Sequence, residues 1–352
     1  MISPRTIVLT TALCNVLTAC GGGGSDPTSQ PVPAAVNAVP TPASAITPTL
    51  YKGHGVFAPY TGLEPTAIVE NGLLRLWYTA EDNSGASGAY PFKNVRIAYR
   101  EASAAAFAAS VKSGSPIAWT GQGDCVPGLM HSSVARDPDG TYWMSGATAA
   151  NSDDLWSSST GYPGTWTLAK AGMASVGIPG NTWMNWSGDH WDVWVEYQAA
   201  NIQWRVSYWT GPTLDALTEQ NGEAMVGAGG TTTSAGQVVK TTAGYAKFGH
   251  GSLTSAPTPT DISVWSSTAP GSGWTQKAWV LRLADQPGFM GDPAQPFNGD
   301  SQLADPTVVE IDGATFILYE TIRQELYDVP SLSVAWWNQP LAGVTASYGV
   351  TQ

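Results

Sequence analysis

The chain has 352 residues and a formal net charge of −12 at pH 7, with only 12% of its residues charged. Fifteen Lys and Arg against twenty-seven Asp and Glu make a basic patch hard to assemble, which argues against nucleic acid and strongly acidic polysaccharides as partners. The length suits one large all-β domain or two ordinary ones, and sixteen Trp with thirteen Tyr against seven Phe favour rings that are apolar on one side and hydrogen-bonding at the edge.

The N-terminus carries Arg5, an apolar stretch from Ile7 to Leu17, and then Leu17-Thr18-Ala19-Cys20. This has the form of an export signal, and its end closely resembles a bacterial lipobox. The resemblance implies cleavage before Cys20, lipidation of that cysteine, and a signal peptide over 1–19. Gly21 after the cysteine implies no retention in the inner membrane, so the expected place is the outer membrane or cell surface, with the lipid as the only membrane contact. Loss of 1–19 removes Arg5 and takes the net charge from −12 to −13. Residues 20–50 are Gly-rich and then Pro-, Ala-, Thr- and Ser-rich, a composition that reads as a flexible tether. The folded domain is expected over 51–352. Cys14 leaves with the signal and Cys20 is the anchor, so Cys125 remains alone, without a disulfide or a cysteine metal cluster, and reads as a packed small residue.

Glu64 to Ala80, EPTAIVENGLLRLWYTA, is two apolar runs around Asn71-Gly72, the pattern of a β-hairpin. The same phrase recurs at Ala304 to Thr321, ADPTVVEIDGATFILYET, turning at Asp312-Gly313. Three further copies lie between them, turning at Gly140, at Gly188-Asp189 and at Gly244. Each hairpin is followed by a third run, namely 95–102, 154–160, 202–210, 261–268 and 331–338, and several lead through Gly or Pro into a fourth, as in GYPGTWTLA and APGSGWTQKAWVL. Ala102 to Val111 is the one stretch that suggests a short helix. Five units of four strands predict an all-β, five-bladed β-propeller, because one meander cannot cover both its faces whereas five in a ring can. A six-bladed ring is the alternative, and a pair of sandwiches comes third.

Five units with Asp-Pro or Glu-Pro steps, Asn-Gly or Asp-Gly turns, Tyr/Trp-rich strands and Ser-Ser before Gly-x-Trp resemble the five-bladed propellers of glycoside hydrolase families 43, 62, 32 and 117. The resemblance spans roughly 51–352 and implies an active site at one end of the central axis, walled by acidic residues at the heads of the inner strands. Counting eight residues back from each turn gives Glu64, Ser132 with His131 beside it, Asn181, Gly236 and Asp305. Counting seven forward gives Thr79, Ala147, Glu196, Gly251 with His250 beside it, and Glu320. A charge that closes an apolar strand is costly to bury without a partner or a role. Arg205 and Arg323 are candidate partners for Glu196 and Glu320.

Glycosidic cleavage needs one carboxylic acid and one carboxylate, and the related families add a third. Glu64, Glu196 and Asp305 are the expected catalytic set. Glu320, His131, His250, Asn181, Trp183 and Trp186 are the expected substrate-binding residues. No cofactor is expected. A structural Ca²⁺ matches no motif, although the loop Ala284–Leu303 holds Asp285, Asp292 and Asp300; Glu81–Pro91 reads as a flexible cover. The expected function is carboxylate-catalysed hydrolysis of a neutral poly- or oligosaccharide by an exo-acting monomer. The alternative is a carbohydrate-binding propeller without catalysis, which the non-acidic Ser132, Asn181 and Gly236 favour. A sialidase-like enzyme is third, since SSTGYPGTW and SSTAPGSGW lack the Asp such loops carry.

Overall fold

Asn71 and Gly72 take left-handed backbone, with φ of 50° and 74°, as do Asp312 and Gly313, with φ of 50° and 71°. Positive φ at both central positions is what a two-residue hairpin turn requires and what Asn or Asp followed by Gly supplies most cheaply. Around these turns β2 (Leu63–Glu70) pairs with β3 (Leu73–Asp82), and β18 (Asp300–Ile311) with β19 (Ala314–Arg323).

The computed structural model describes residues 42–50, 62–82, 93–198, 204–225, 236–250, 261–282, 300–323 and 329–350. These residues form five four-stranded antiparallel sheets. Blade 1 adds β4 (Lys93–Ser103) and β5 (Gly121–Pro127) to the first hairpin. Blade 2 is β6 (Leu129–Arg136), β7 (Tyr142–Thr148), β8 (Asp153–Ser158) and β9 (Thr167–Lys170). Blade 3 is β10 (Ile178–Trp186), β11 (Trp191–Gln198), β12 (Trp204–Gly211) and β13 (Thr218–Asn221). Blade 4 is β14 (Val238–Thr241), β15 (Gly244–His250), β16 (Ile262–Ser267) and β17 (Thr275–Leu281). Blade 5 takes β18, β19 and β20 (Val329–Trp337), and its fourth strand is β1 (Thr49–Leu50) from the other end of the chain.

The ring closes. β2 lies beside β6, β6 beside β10, β10 beside β14, and β18 beside both β15 and β2. Each interface between blades holds its own apolar cluster. Leu76 and Tyr78 meet Phe316 and Leu318 between blades 1 and 5, and Trp77 and Tyr99 meet Val134 and Met144 between blades 1 and 2. Leu155 meets Met184 and Val193, Trp194 meets Trp265, and Phe248 meets Ile317 and Trp337 across the remaining three. Every sheet therefore buries both faces, the condition from which the ring was expected, and the fold is the five-bladed rather than the six-bladed one.

Hydroxyl groups of the inner strands stitch neighbours together. Thr66 of blade 1 donates to the Ser132 carbonyl of blade 2 at 3.0 Å, Thr182 of blade 3 to Asp153 of blade 2 at 3.0 Å, and Thr307 of blade 5 to Gln237 beside blade 4 at 3.2 Å. In blades 3 and 4 a Ser-x-Trp step repeats within one strand. Trp209 Nε1 donates to Ser207 and Trp265 Nε1 to Ser263, both at 2.8 Å, and each serine donates to the carbonyl of its cross-strand partner. An indole N–H inside an apolar interface thus finds its acceptor without leaving the strand.

The N-terminal boundary differs from the expectation. Residues 42–50 belong to the propeller rather than to the tether: Thr49 and Leu50 pair with Trp336 and Ala335, and the Ile46 carbonyl accepts from both Trp337 Nε1 and Tyr348 Oη at 2.7 Å. The outer edge of blade 5 would otherwise be bare, and a strand from the far end of the chain covers it. The helix α1 (Ala104–Ser113) lies close to where Ala102–Val111 predicts one, capped by Ser103 and by Gly114 at φ 75°. It lays Phe107 and Val111 on the interface of blades 1 and 5. A second short helix, α2 (Leu341–Ser347), has no counterpart in the sequence reading, and Val344 and Tyr348 anchor it to the interface of blades 4 and 5. Cys125 is half-buried, and burial pushes its thiol up to about 12, the inert packed residue expected of it.

At the turn end of blades 1 and 2 the Arg75 guanidinium is 3% exposed and ringed by Trp77, Tyr99, Tyr142 and Tyr162 at 4.5–5.4 Å. It reaches Glu70 at 2.7 Å and donates to the Thr160 carbonyl at 2.7 Å. Removing one member of a buried pair strands the other, which costs about 3–5 kcal/mol. Arg75→Met is therefore expected to lower unfolding free energy by about that amount in a denaturant titration. A loss below about 1 kcal/mol, the value of an ordinary surface pair, would contradict the bridging role.

Candidate functional site

β-Bulges set the inner strands' heads at one end of the axis. In β2 the register jumps between Leu63 and Thr66, in β6 between Met130 and Ser133, in β10 between Pro179 and Thr182, and in β18 between Ala304 and Thr307. Glu64, His131 and Asp305 occupy the same place in three of these bulges and share left-handed backbone, with φ of 53°, 57° and 48°. Such backbone costs about 1–3 kcal/mol for a residue with a Cβ, so three instances at one end of a ring mark a place where strain is tolerated. The Glu-Pro and Asp-Pro steps are thus bulges that aim a side chain at the axis.

The register also corrects the counting. Blade 2 turns through Asp137–Thr141, longer than the two-residue turns of blades 1 and 5, so counting eight back from Gly140 falls short by one residue. His131, not Ser132, stands in the place of Glu64 and Asp305, and Ser132 gives its carbonyl to Thr66.

The carboxylates converge. Carboxylate oxygens of Glu64, Asp305 and Glu320 lie within 4.8 Å of one another. Asn181 joins Glu196 to this group, its Nδ2 donating to Glu196 Oε2 at 3.4 Å and to Asp305 Oδ1 at 3.2 Å, while its backbone N–H reaches Glu196 Oε2 at 3.2 Å. Two bonds to one nitrogen keep Glu196 and Asp305 closer than the ~9.5 Å upper limit for an acid and base that share a water. All four acids are buried, with exposures from 2% to 9%.

Histidines are interleaved with them. Nδ1 of His131 is set against Oε1 of Glu64, and the His131 backbone N–H donates to Oε2 of the same carboxylate at 2.8 Å. Thr79 Oγ1 also donates to that oxygen at 2.8 Å. His250 Nδ1 lies 3.4 Å from both the backbone nitrogen and Oδ1 of Asp305. Burial opposes the charge of Asp305, yet His250, the hydrogen bond with Glu320 and the charge of His131 together hold its carboxyl below the usual range. Burial likewise works against a charged His131, but Glu64 first, then Asp305 and Glu196, outweigh it and raise the imidazole above its ordinary value.

Two further buried groups stand close by and escape sequence reading. Lys247 of β15 is 1% exposed, and burial draws its amine well below the usual range against the pull of Glu196 and Asp305. Asp153 of β8 is 1% exposed and accepts from Thr182, and burial lifts its carboxyl to about 7. Lys247 sits among Tyr245, Ala246 and Phe248 in a strand that reads as ordinary core. Only its alternation with Ala246 and Phe248, which face blade 5, signals that it turns to blade 3.

The aromatic candidates separate. Trp183 lines a small recess with Asn181, Glu196 and Lys247, and its indole N–H donates to Asn185 at 3.2 Å. Trp186 does not reach the site. It pairs with Trp191 at the hairpin end of blade 3, five residues or roughly 17 Å along the strand from Asn181, and belongs to the interface of blades 2 and 3. Gly236 lines the recess beside Lys247, so blade 4 contributes His250 and Lys247 from its second strand where no acid heads the first. Arg205 is paired with Glu223. Cys20, Gly251, the side chain of Arg323 and most of the loops Glu81–Pro91 and Ala284–Leu303 lie outside the described residues.

Glu64, Asp305 and Glu320 are also the residues suited to a metal ion, an all-oxygen set appropriate to a hard cation such as Ca²⁺. His131 on Glu64 and His250 on Asp305 already place imidazoles on two of the three.

No family model and no curated protein matches the chain. Solved structures do. One described as "Glycoside hydrolase" is 12% identical over 84% of this chain and 93% of its own, with a TM-score of 0.60. The catalytic domain of the Coprinopsis cinerea GH62 α-L-arabinofuranosidase is 8% identical over 84% of this chain and 98% of its own, at 0.57. A Podospora anserina α-L-arabinofuranosidase in complex with cellotriose is 11% identical over 84% and 95%, at 0.53. At these identities the likeness is one of fold.

Proposed function

We propose that this chain is an exported glycoside hydrolase that cleaves a neutral poly- or oligosaccharide at the axial cluster. The observation that carries the reading is the convergence of Glu64, Glu196, Asp305 and Glu320, from three blades, on one end of the axis. Asp305, held ionised, and Glu196 form the anionic side, which activates water or meets the developing positive charge on the sugar. The corner of Glu64 and His131 is the protonating side. Asn181 holds the two anionic carboxylates, Trp183 offers a face for a sugar ring, and His250 keeps Asp305 charged. A pocket at one end of an axis admits a chain terminus, which makes the enzyme exo-acting. The arabinofuranosidase names of two fold neighbours make aryl α-L-arabinofuranosides the first probes.

One observation favours the binding reading instead. Glu64 and Asp305 are each paired with a histidine, and Glu196 and Glu320 are only 4% and 2% exposed. A binder would turn over no aryl glycoside or oligosaccharide, and its affinity would depend on Trp183. Assay of the wild type, with Glu196→Gln and Trp183→Ala beside it, separates the two: turnover lost in the first variant marks an enzyme, and sugar affinity lost only in the second marks a binder.

The address belongs to the same reading, a monomer tethered through a lipidated Cys20 to the outer membrane or cell surface, as LTAC before GGGGS suggests. Cys20→Ser should move the protein from the membrane fraction to the soluble periplasm or medium. Unchanged membrane association would remove the anchor from the account.

A further inference from the structure

We propose that blades 2 and 3 hold between them a site for one hard monovalent cation, Na⁺, ligated by Ser133, Ser145, Asp153 and Thr182. The site is separate from the carboxylates of the axis, and it stands or falls independently of the glycosidase reading.

Strand register brings the four side chains together. Ser133 of β6 lies directly opposite Ser145 of β7, and Ser145 lies opposite Leu155 of β8. Asp153 is two residues from Leu155 along β8, so the two share one face of the blade. Leu155 meets Met184 and Val193, which makes this the face turned to blade 3. From blade 3, Thr182 of β10 donates across the interface to Asp153 Oδ2 at 3.0 Å. All four residues are buried, with exposures from 0% to 3%.

These polar atoms do not satisfy one another. Ser133 Oγ, Ser145 Oγ and Asp153 Oδ1 have no hydrogen-bond partner among the described residues. Opposed serines on paired strands are placed to bond directly, and this pair does not. One open oxygen is costly to bury. Three from successive strands of one blade, on one face, call for a shared ligand.

The donor set selects that ligand. Every open atom is an oxygen, which suits a hard cation, and Thr182 gives its proton to Asp153 while keeping lone pairs for a further contact. Burial is the largest influence on the Asp153 carboxyl and opposes its charge; Asp154 adds to that penalty and His131 eases it. A buried charge is normally paired or bound to a metal. One monovalent ion balances one carboxylate, whereas a divalent ion would leave surplus charge between the blades. A water would meet the same three oxygens but would leave the carboxylate uncompensated. Ser133 follows His131 by two residues and Thr182 follows Asn181, so the cation would tie together two of the strand heads that wall the axial cluster.

The test is thermal melting of the full chain in the presence of EDTA, with sodium chloride in one arm and N-methyl-D-glucamine chloride at equal ionic strength in the other. Screening and anion are then matched, and a specifically bound cation separates the arms. With sodium at about ten times its Kd, the wild type should melt about 2–4 °C higher in sodium. Asp153→Asn keeps the shape of the side chain and should abolish the difference, and Ser145→Ala should shrink it. Equal wild-type melting in both arms at every salt concentration would overturn the proposal, as would a sodium shift that survives Asp153→Asn. Should the variants fail to fold, wild-type crystals grown from sodium chloride give a second readout. Density touching Ser133, Ser145 and Asp153 at less than the roughly 2.7 Å of a water hydrogen bond supports the cation. Density at ordinary hydrogen-bond distances marks a buried water, and the proposal fails.

Discussion

Asp305→Asn and Glu196→Gln are each expected to reduce glycoside turnover by about 10²–10⁴-fold, the usual worth of a positioned acid-base group. Both changes keep the shape of the side chain and remove the charge that the site is built to hold. Asn181 bridges the two carboxylates through one amide, at 3.4 Å and 3.2 Å, so either amide substitution also disturbs its partner's hydrogen bonding. The pair is therefore expected to be non-additive, with the double variant little slower than the worse single one. Thermal melts of the same proteins separate lost chemistry from lost fold. Undiminished turnover in both single variants would remove these residues from the mechanism.

Deletion of residues 300–352 should abolish cooperative folding. It removes β18, β19 and β20 together with α2, and it bares one face of blade 1 and one of blade 4. Phe316, Leu318 and Val334 leave the first interface, and Ile317, Tyr319 and Trp337 leave the second. Six large side chains at about 1.5–3 kcal/mol each come to roughly 10–20 kcal/mol of lost burial. That exceeds or matches the net stability of about 5–15 kcal/mol that a domain possesses. Heating the truncated chain should give a broad, non-cooperative signal; a single sharp transition would contradict ring closure. Loss of 42–50 alone is a milder version of the same lesion, since β1 covers an edge rather than a face.

The ring was legible in the sequence because its signals are local. Asn71-Gly72 and Asp312-Gly313 demand hairpins, and a third run follows each hairpin, so five blades could be counted without coordinates. The closure by Thr49 and Leu50 was not legible, because two residues at the end of a Pro- and Thr-rich stretch carry no period of their own. The site was half visible. Glu64, Glu196, Asp305, Glu320, Asn181 and the two histidines beside counted positions come together as their spacing from the turns suggested. The errors arise where turn length varies: the long turn of blade 2 gave Ser132 the place of His131. Trp186 was drawn in by aromatic density and lies at the opposite end of its strand. Lys247 escaped because a lone charge in an apolar strand gives no clue to its partner, and Asp153 because it stands beside Asp154 at the polar start of its strand while its partner Thr182 sits in another blade.

Release of reducing sugar by the full-length wild type from a panel of neutral poly- and oligosaccharides tests the chemistry of the axial cluster most directly, with the Glu196→Gln/Asp305→Asn double variant as control. The account predicts that a terminal sugar is released from at least one member of the panel and that the double variant releases none. Absence of release from every member, together with sugar binding that the double variant leaves intact, would contradict it.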